Sequence, residues 1–417
     1  MTQPAQFFLQ LTVILLVCRV VGQLIARGGQ PKVVGEMIAG VLLGPSLLGW
    51  LAPTLQAAIF PESSLPVMSV VSQVGLVLYM FIVGTHLQRD FIRDAFRGAM
   101  FISLAGIIAP FVLGAALASF IYADGRFFAD GVSTWQSMIY LGAAMSVTAF
   151  PVLARIIQER GIAGTALGSL ALAAGATDDA IAWCLLAVVL ASYTSHLGLA
   201  VSAIAGGVIY AVLVLVVLRP RLDRMGAAVE RKGRLTSGKL TLILSLLMAG
   251  AWFTDVIGIH AVFGAFVLGV AMPRGLVAKE LSRQVEPIAT TLLVPLFFAY
   301  SGLSTHLSLL WSTELLLLAV VVILIASVGK GIACWGAARL AGRPNREAMA
   351  IGALMNARGL MELIILNIGL ERGLITPTLF TVMVIMTLVT TLAAGPMFGW
   401  AWRGSSEVPD GAGIAVR

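Results

Sequence analysis

The chain has 417 residues, of which 59% are hydrophobic and only 11% charged, with a formal net charge of +7. A soluble domain carries roughly 25% charged residues, so this composition excludes a water-soluble globule and points to an all-α polytopic membrane protein. The positive balance does not mark a nucleic-acid partner, because the basic residues fall in short stretches between apolar runs, as they do in membrane proteins.

In chain order, apolar runs predict thirteen membrane spans at about 7–26, 33–51, 66–88, 98–122, 136–157, 165–192, 197–218, 239–254, 258–273, 287–304, 314–341, 346–370 and 377–402. The opening MTQPAQFF has no basic n-region, so the first run is expected to be a retained span. Cys18, Cys184 and Cys334 lie inside apolar runs without metal-ligand spacing and read as small buried hydrophobes.

With the N-terminus outside, Arg27, Lys32, Arg89, Arg93, Arg97, Arg155, Arg160, Arg274, Lys279, Arg283, Arg339, Arg343 and Arg346 all fall on the cytoplasmic side, and the outside loops hold only Arg126 and Arg372. That asymmetry predicts an N-out, C-in orientation, and the expected location is a bacterial inner (plasma) membrane. A basic stretch over 219–239 reads as a cytoplasmic linker between a first half (1–218) and a second half (240–402), followed by a short cytoplasmic tail over 403–417.

The halves echo each other. GEMIAGVLLGP (35–45) matches HAVFGAFVLGVAMP (260–273) in the spacing of its small residues, and VLYMFIVGTHL (77–87) matches LFFAYSGLSTHL (296–307). The offset covers seven spans, an odd number, so the copies, about 33–192 and 258–370, run in opposite directions through the membrane. Inverted repeats are a construction of secondary transporters, with substrate bound near the midplane.

Once the loops and the basic span ends are set aside, a few ionisable residues remain within predicted spans: Arg19, Glu36, Asp178, Asp179, Lys330, Arg358 and Glu362. Each costs at least ~2.5–3.5 kcal/mol at the bilayer centre, so each needs a partner or a task. Asp178 and Asp179 sit halfway along the sixth span. Neighbours diverge by about 100° on a helix, and two carboxylates so close in low dielectric do not readily ionise together. Such a pair suits exchange of H+ for a monovalent cation.

One span earlier, Pro151 removes a backbone donor and obstructs the carbonyl near Val147. The freed carbonyls and the Thr148 hydroxyl are oxygen ligands of the kind Na+ or K+ takes. In the second half, Asn356, Arg358 and Gly359 interrupt an apolar span at mid-depth, which predicts a second broken helix. Arg358 either offsets helix-end dipoles there or pairs with Glu362 four residues on. Lys330 lies many residues from either span end, where water is hard to reach, and is expected either to pair with an aspartate or to lose its proton. Arg19 and Glu36 read as structural, and His86 and His306 as residues at span ends.

In PKVVGEMIAGVLLGPSLLG (31–49), TAFPVLARI (148–156), ATDDAIAWCLLA (176–187) and NARGLMELIILNIGL (356–370), the chain resembles the monovalent cation:proton antiporters. The branch is the one with Kef-type, NapA-type and plant cation/proton exchangers, and the resemblance covers residues 5–402. It implies an NhaA/NapA-like fold with two crossing discontinuous helices, and a homodimer whose protomers combine a scaffold and a mobile core. It also implies that Asp179 is the carboxylate taking the cation or proton and that Asp178 is the partner of Lys330. The expectation is therefore a secondary antiporter exchanging Na+ or K+ for H+ by alternating access. It is not an enzyme, needs no cofactor, and has the cation, the proton and membrane lipid as partners. A cation-coupled symporter of an organic solute and a cation channel are the alternatives, although no selectivity-filter sequence is visible.

Overall fold

The computed structural model describes residues 3–86, 89–162, 165–193, 197–305 and 312–402. Nearly all of them are helical, and the described residues form a single isolated β-bridge, between Phe128 and Ile375. Among the described residues, ten helices are long and apolar enough to cross a membrane. His306 and the tail 403–417 lie outside the described residues.

The helices of the first half are α1 (Gln3–Arg27), α2 (Lys32–Leu43), the short α3 (Leu48–Leu51) and α4 (Pro53–Ile59), α5 (Leu65–His86), α6 (Arg89–Ile121), α7 (Thr134–Ser146), α8 (Phe150–Glu159), α9 (Ala166–Tyr193) and α10 (Leu197–Val212). Then follow α11 (Arg219–Lys232), α12 (Ser237–Val256), α13 (Ala261–Ala271), α14 (Leu276–Ile288), α15 (Val294–Leu303), α16 (Thr313–Leu340), α17 (Asn345–Leu354), α18 (Leu360–Glu371) and α19 (Pro377–Trp402).

Three elements differ in detail from the sequence expectation. The second predicted span is a 12-residue helix that ends at Leu43, just before Gly44-Pro45, with α3 beyond it. The tenth begins earlier than expected, because α14 continues through a π-turn at Ala289–Leu293 into α15. Pro287 lacks the N–H that a regular helix needs, and a widened turn absorbs the fault. The basic stretch after Leu218 is helical up to Lys232, with Leu222, Gly226 and Val229 buried, and it stops at Gly233, whose φ of 65° suits glycine. The predicted ninth span is α13, which at 11 residues is about 16 Å long.

The chain forms two compact units, each drawn from both halves of the sequence. One comprises Met1–Val20, Ala39–Leu87 and Trp183–Leu303; the other comprises Val21–Ile38, Gln88–Ala182 and Ser304–Arg417. In the first unit α5 packs on α13 and α15, and α12 packs on α13. Backbones meet directly there. A Cβ on Gly269 would strike the Phe81 carbonyl oxygen and stand 3.0 Å from Gly84 Cα, while a Cβ on Gly40 would strike the Phe298 carbonyl oxygen, with Gly302 abutting Gly40. The same glycine–phenylalanine–glycine contact is thus made twice, by α13 on α5 and by α2 on α15.

In the second unit α6 packs on α7 and α16, and α17 lies against α16 and α19. Its loops are pinned at one end. The Phe128–Ile375 bridge and a 2.7 Å bond from the Thr376 hydroxyl to the Arg126 carbonyl tie the α6–α7 connection to the α18–α19 connection. This fixes where α7 and α18 begin and end, and both lead into the site.

Candidate functional site: two interrupted helices and a buried aspartate pair

Helical structure stops between α7 and α8, over 147–149, and again between α17 and α18, over 355–359. Val147 is extended (φ −71°, ψ 139°). Pro151 is the second residue of α8, where its missing N–H would have no partner in any case. It therefore starts a helix instead of kinking one, and Val147 lies outside both helices. At the other interruption Gly359 has φ 152°, a conformation that side chains rarely adopt. The two interruptions touch. The Ala149 amide donates to the Ala357 carbonyl at 2.9 Å.

Around this contact gather the predicted site residues. Thr148, Asp178, Asp179, Lys330, Asn356, Arg358 and Glu362 are all buried. Asp178 is fully engaged. Its Oδ1 accepts from the Ser103 hydroxyl on α6 at 2.8 Å; its Oδ2 accepts from Lys330 Nζ at 3.0 Å and from the Thr148 hydroxyl. Asp179, the next residue of α9, is the opposite case. Among the described residues, neither of its carboxylate oxygens has a hydrogen-bond partner of normal geometry, although both are buried. The Phe150 amide, Asp178 and Lys330 are its electrostatic neighbours.

Helix polarity explains where the charges go. The carbonyl end of a helix carries partial negative charge and its amide end partial positive charge. Both buried cations serve the carbonyl end of α7: Lys330 donates to the Ser146 carbonyl, and Arg358 Nη2 donates to the Met145 carbonyl at 2.7 Å. Asp179 instead lies near Phe150, the first residue of α8, whose amide end favours a carboxylate.

Arg358 takes both roles that its spacing allowed, because its Nη1 also reaches Glu362 Oε2 at 3.2 Å. Its backbone is held by Thr391 of α19, which accepts from the Arg358 amide at 3.1 Å and lies 2.8 Å from the Arg358 carbonyl. Asn356 Nδ2 donates to the Ser327 and Gly352 carbonyls at 3.1 and 3.2 Å, while its Oδ1 is buried without a donor among the described residues. His86 lies in the first unit, 2.8 Å from Ser282.

Ser103, Thr391 and the α7 carbonyls are members that sequence reasoning did not single out. Hydroxyls are frequent in apolar helices and backbone carbonyls carry no sequence signal, so neither stood out. The described residues include no group of three or more His, Cys, Asp or Glu side chains able to hold a metal ion. The ligands on offer are one free carboxylate, hydroxyls and loosened carbonyls, a set suited to a weakly held monovalent cation passing through as substrate.

A family model described as "Sodium/hydrogen exchanger, transmembrane" matches residues 12–404. The chain is 40% identical to the Na(+)/H(+) antiporter NhaS4 of Synechocystis, over 92% of this chain and 94% of that one. It is 35% identical to cation/H(+) antiporter 19 of Arabidopsis thaliana over 93% of this chain, and spans about half (48%) of that relative's length. It is 29% identical to the Na(+)/H(+)-K(+) antiporter GerN of Bacillus cereus, over 95% and 96% of the two chains. Among solved structures, the sodium proton antiporter MjNhaP1 of Methanocaldococcus jannaschii shares the fold, with a TM-score of 0.66 at 13% identity over 94% of this chain and 95% of that one.

Proposed function

Since the chain belongs to the sodium/hydrogen exchanger family, one of secondary transporters and not of enzymes, we propose that it exchanges a monovalent cation, Na+ or K+, for H+ at Asp179. The observation that carries this reading is the contrast within the aspartate pair. Asp178 has three donors, and Asp179 has none of normal geometry although it is equally buried. An ionised carboxylate left in that state costs several kcal/mol, so the group holds either a proton or a desolvated cation. The two ligands exclude each other, and mutual exclusion at one carboxylate gives obligatory exchange when the site opens to one side of the membrane at a time and does not reorient while the carboxylate is ionised and empty.

In this reading each neighbour has a separate task. The Asp178–Lys330 pair keeps a compensating positive charge beside the site, and Thr148 and the loosened backbone at 147–149 and 355–357 supply further oxygens. Arg358 and Glu362 hold the interrupted helices in register. The repeated glycine contact supports an inverted repeat, and the charge asymmetry of the loops supports an N-out, C-in orientation in a bacterial inner membrane. A homodimer is the assembly that the resemblance implies.

The test is flux in proteoliposomes loaded with a pH-sensitive dye. Asp179→Asn is expected to abolish Na+- or K+-driven proton movement while the protein still folds and inserts. An Asp179→Asn protein with full activity would refute the assignment. The same assay with Na+, K+ and Li+ side by side reads the selectivity.

A further inference from the structure

A cavity of about 170 Å³ opens in the second unit among α16, α17 and α19, lined by Gly331, Trp335, Met349, Gly352, Met397 and Trp400. Its lining is almost wholly apolar, so water there finds few polar partners and hydrocarbon is the better-matched occupant. The outer rim is apolar as well, since Ile332 and Trp400 are largely exposed. In a membrane-spanning chain such a rim faces lipid, and tryptophan favours the level of the headgroups.

The mouth of the cavity lies beside a cluster of cations. Arg339 follows Trp335 by four residues on α16, and Arg346 precedes Met349 by three on α17, so each shares a helix face with a lining residue. Trp335 Nε1 donates to Asn345 Oδ1 at 2.9 Å, which ties the cavity wall to the first turn of α17. Arg343 has Glu347 at 3.7 Å, whereas the exposed Arg346 has no carboxylate partner among the described residues.

We propose that this is a binding site for an anionic diacyl phospholipid of the leaflet bordering the α16–α17 turn, with one acyl chain in the cavity and the phosphate against Arg339 and Arg346. Basic pockets between membrane helices recognise anionic headgroups in this way. The site bears on transport through its floor. A Cβ on Gly331 would come within 2.9 Å of Asn356 Nδ2, so the cavity wall adjoins both the helix that carries Lys330 and the start of the second interruption.

The full-length protein is purified in mild detergent and titrated with phosphatidylglycerol or phosphatidylcholine under native mass spectrometry. Phosphatidylglycerol is expected to bind preferentially, and Arg346→Ala and Arg339→Ala are each expected to weaken it about fivefold. Ala401→Leu, which fills the cavity from α19, is expected to lower retention of the lipid. Met349→Phe fills it from α17 if the first variant does not fold. Equal binding of the two lipids means only a general lipid coat and overturns the proposal. So does wild-type binding by the arginine or cavity-filling variants. Displacement by inorganic phosphate as effective as that by the lipid would assign a free anion and overturn it too.

Discussion

The two compact units are stabilised by different means. In the first, the closest contacts are backbone against backbone, at Gly269 on Phe81 and Gly40 on Phe298, and among the described residues none of the buried charged side chains belongs to it. In the second, Asp178, Asp179, Lys330, Arg358 and Glu362 are all buried. Close packing of small residues is what membrane helices use when lipid offers no hydrophobic drive between them. Buried charge is costly in the same surroundings and persists where it is paired or put to use. The first unit is therefore sensitive to volume, and the second to the loss of a charge partner.

Substitutions can break that contrast or sharpen it. The largest effect is expected for Lys330→Ala, which strips the buried Asp178 of its cation and uncaps the Ser146 carbonyl. Breaking a buried pair from one side costs about 3–5 kcal/mol, read as a large drop in thermal midpoint in detergent. If Lys330→Ala cost no more than a surface change, the charges would not be holding the second unit together. Arg358→Ala is expected to be similarly severe, and the double variant Arg358→Ala/Glu362→Ala milder than Arg358→Ala alone, because it leaves no unpaired buried carboxylate.

Next comes Gly269→Ala in the first unit, where a single methyl group meets the Phe81 carbonyl. Overpacking of this kind costs about 1–3 kcal/mol, and transport by the protein that still folds should keep its dependence on cation concentration. A Gly269→Ala protein as stable as the parent would show that the helices can separate freely there. The smallest effect is expected for Ser103→Ala, which removes one of three donors to Asp178. With Lys330 and Thr148 still donating to the carboxylate, the net cost is expected to be about 0.5–1.5 kcal/mol.

Much of this arrangement was legible in the sequence because membrane insertion makes polar residues conspicuous. Asp178, Asp179, Lys330, Arg358 and Glu362 stand out against apolar runs, and Pro151 and Gly359 mark both interruptions. What the sequence did not reveal depends on three-dimensional direction. Neither the spacing of Asp178 and Asp179 nor their chemistry says which one has its oxygens occupied. That follows from α6 bringing Ser103, and from the break bringing Thr148, to the same carboxylate. The π-turn before α15 and the helical course of the basic stretch after Leu218 were also missed. Composition alone cannot separate a solvated loop from an amphipathic helix that buries only Leu222, Gly226 and Val229.

The central claim is that one carboxylate, Asp179, holds a proton or a cation but never both. Its most direct test is the cation dependence of exchange by the wild-type protein, measured at a series of pH values in proteoliposomes. Simple competition predicts that the apparent KM for the cation rises in proportion to proton concentration on the acidic side, with the maximal rate reached again at saturating cation. An apparent KM that stays constant while pH falls through the working range would mean that proton and cation bind at separate places, and would contradict the claim.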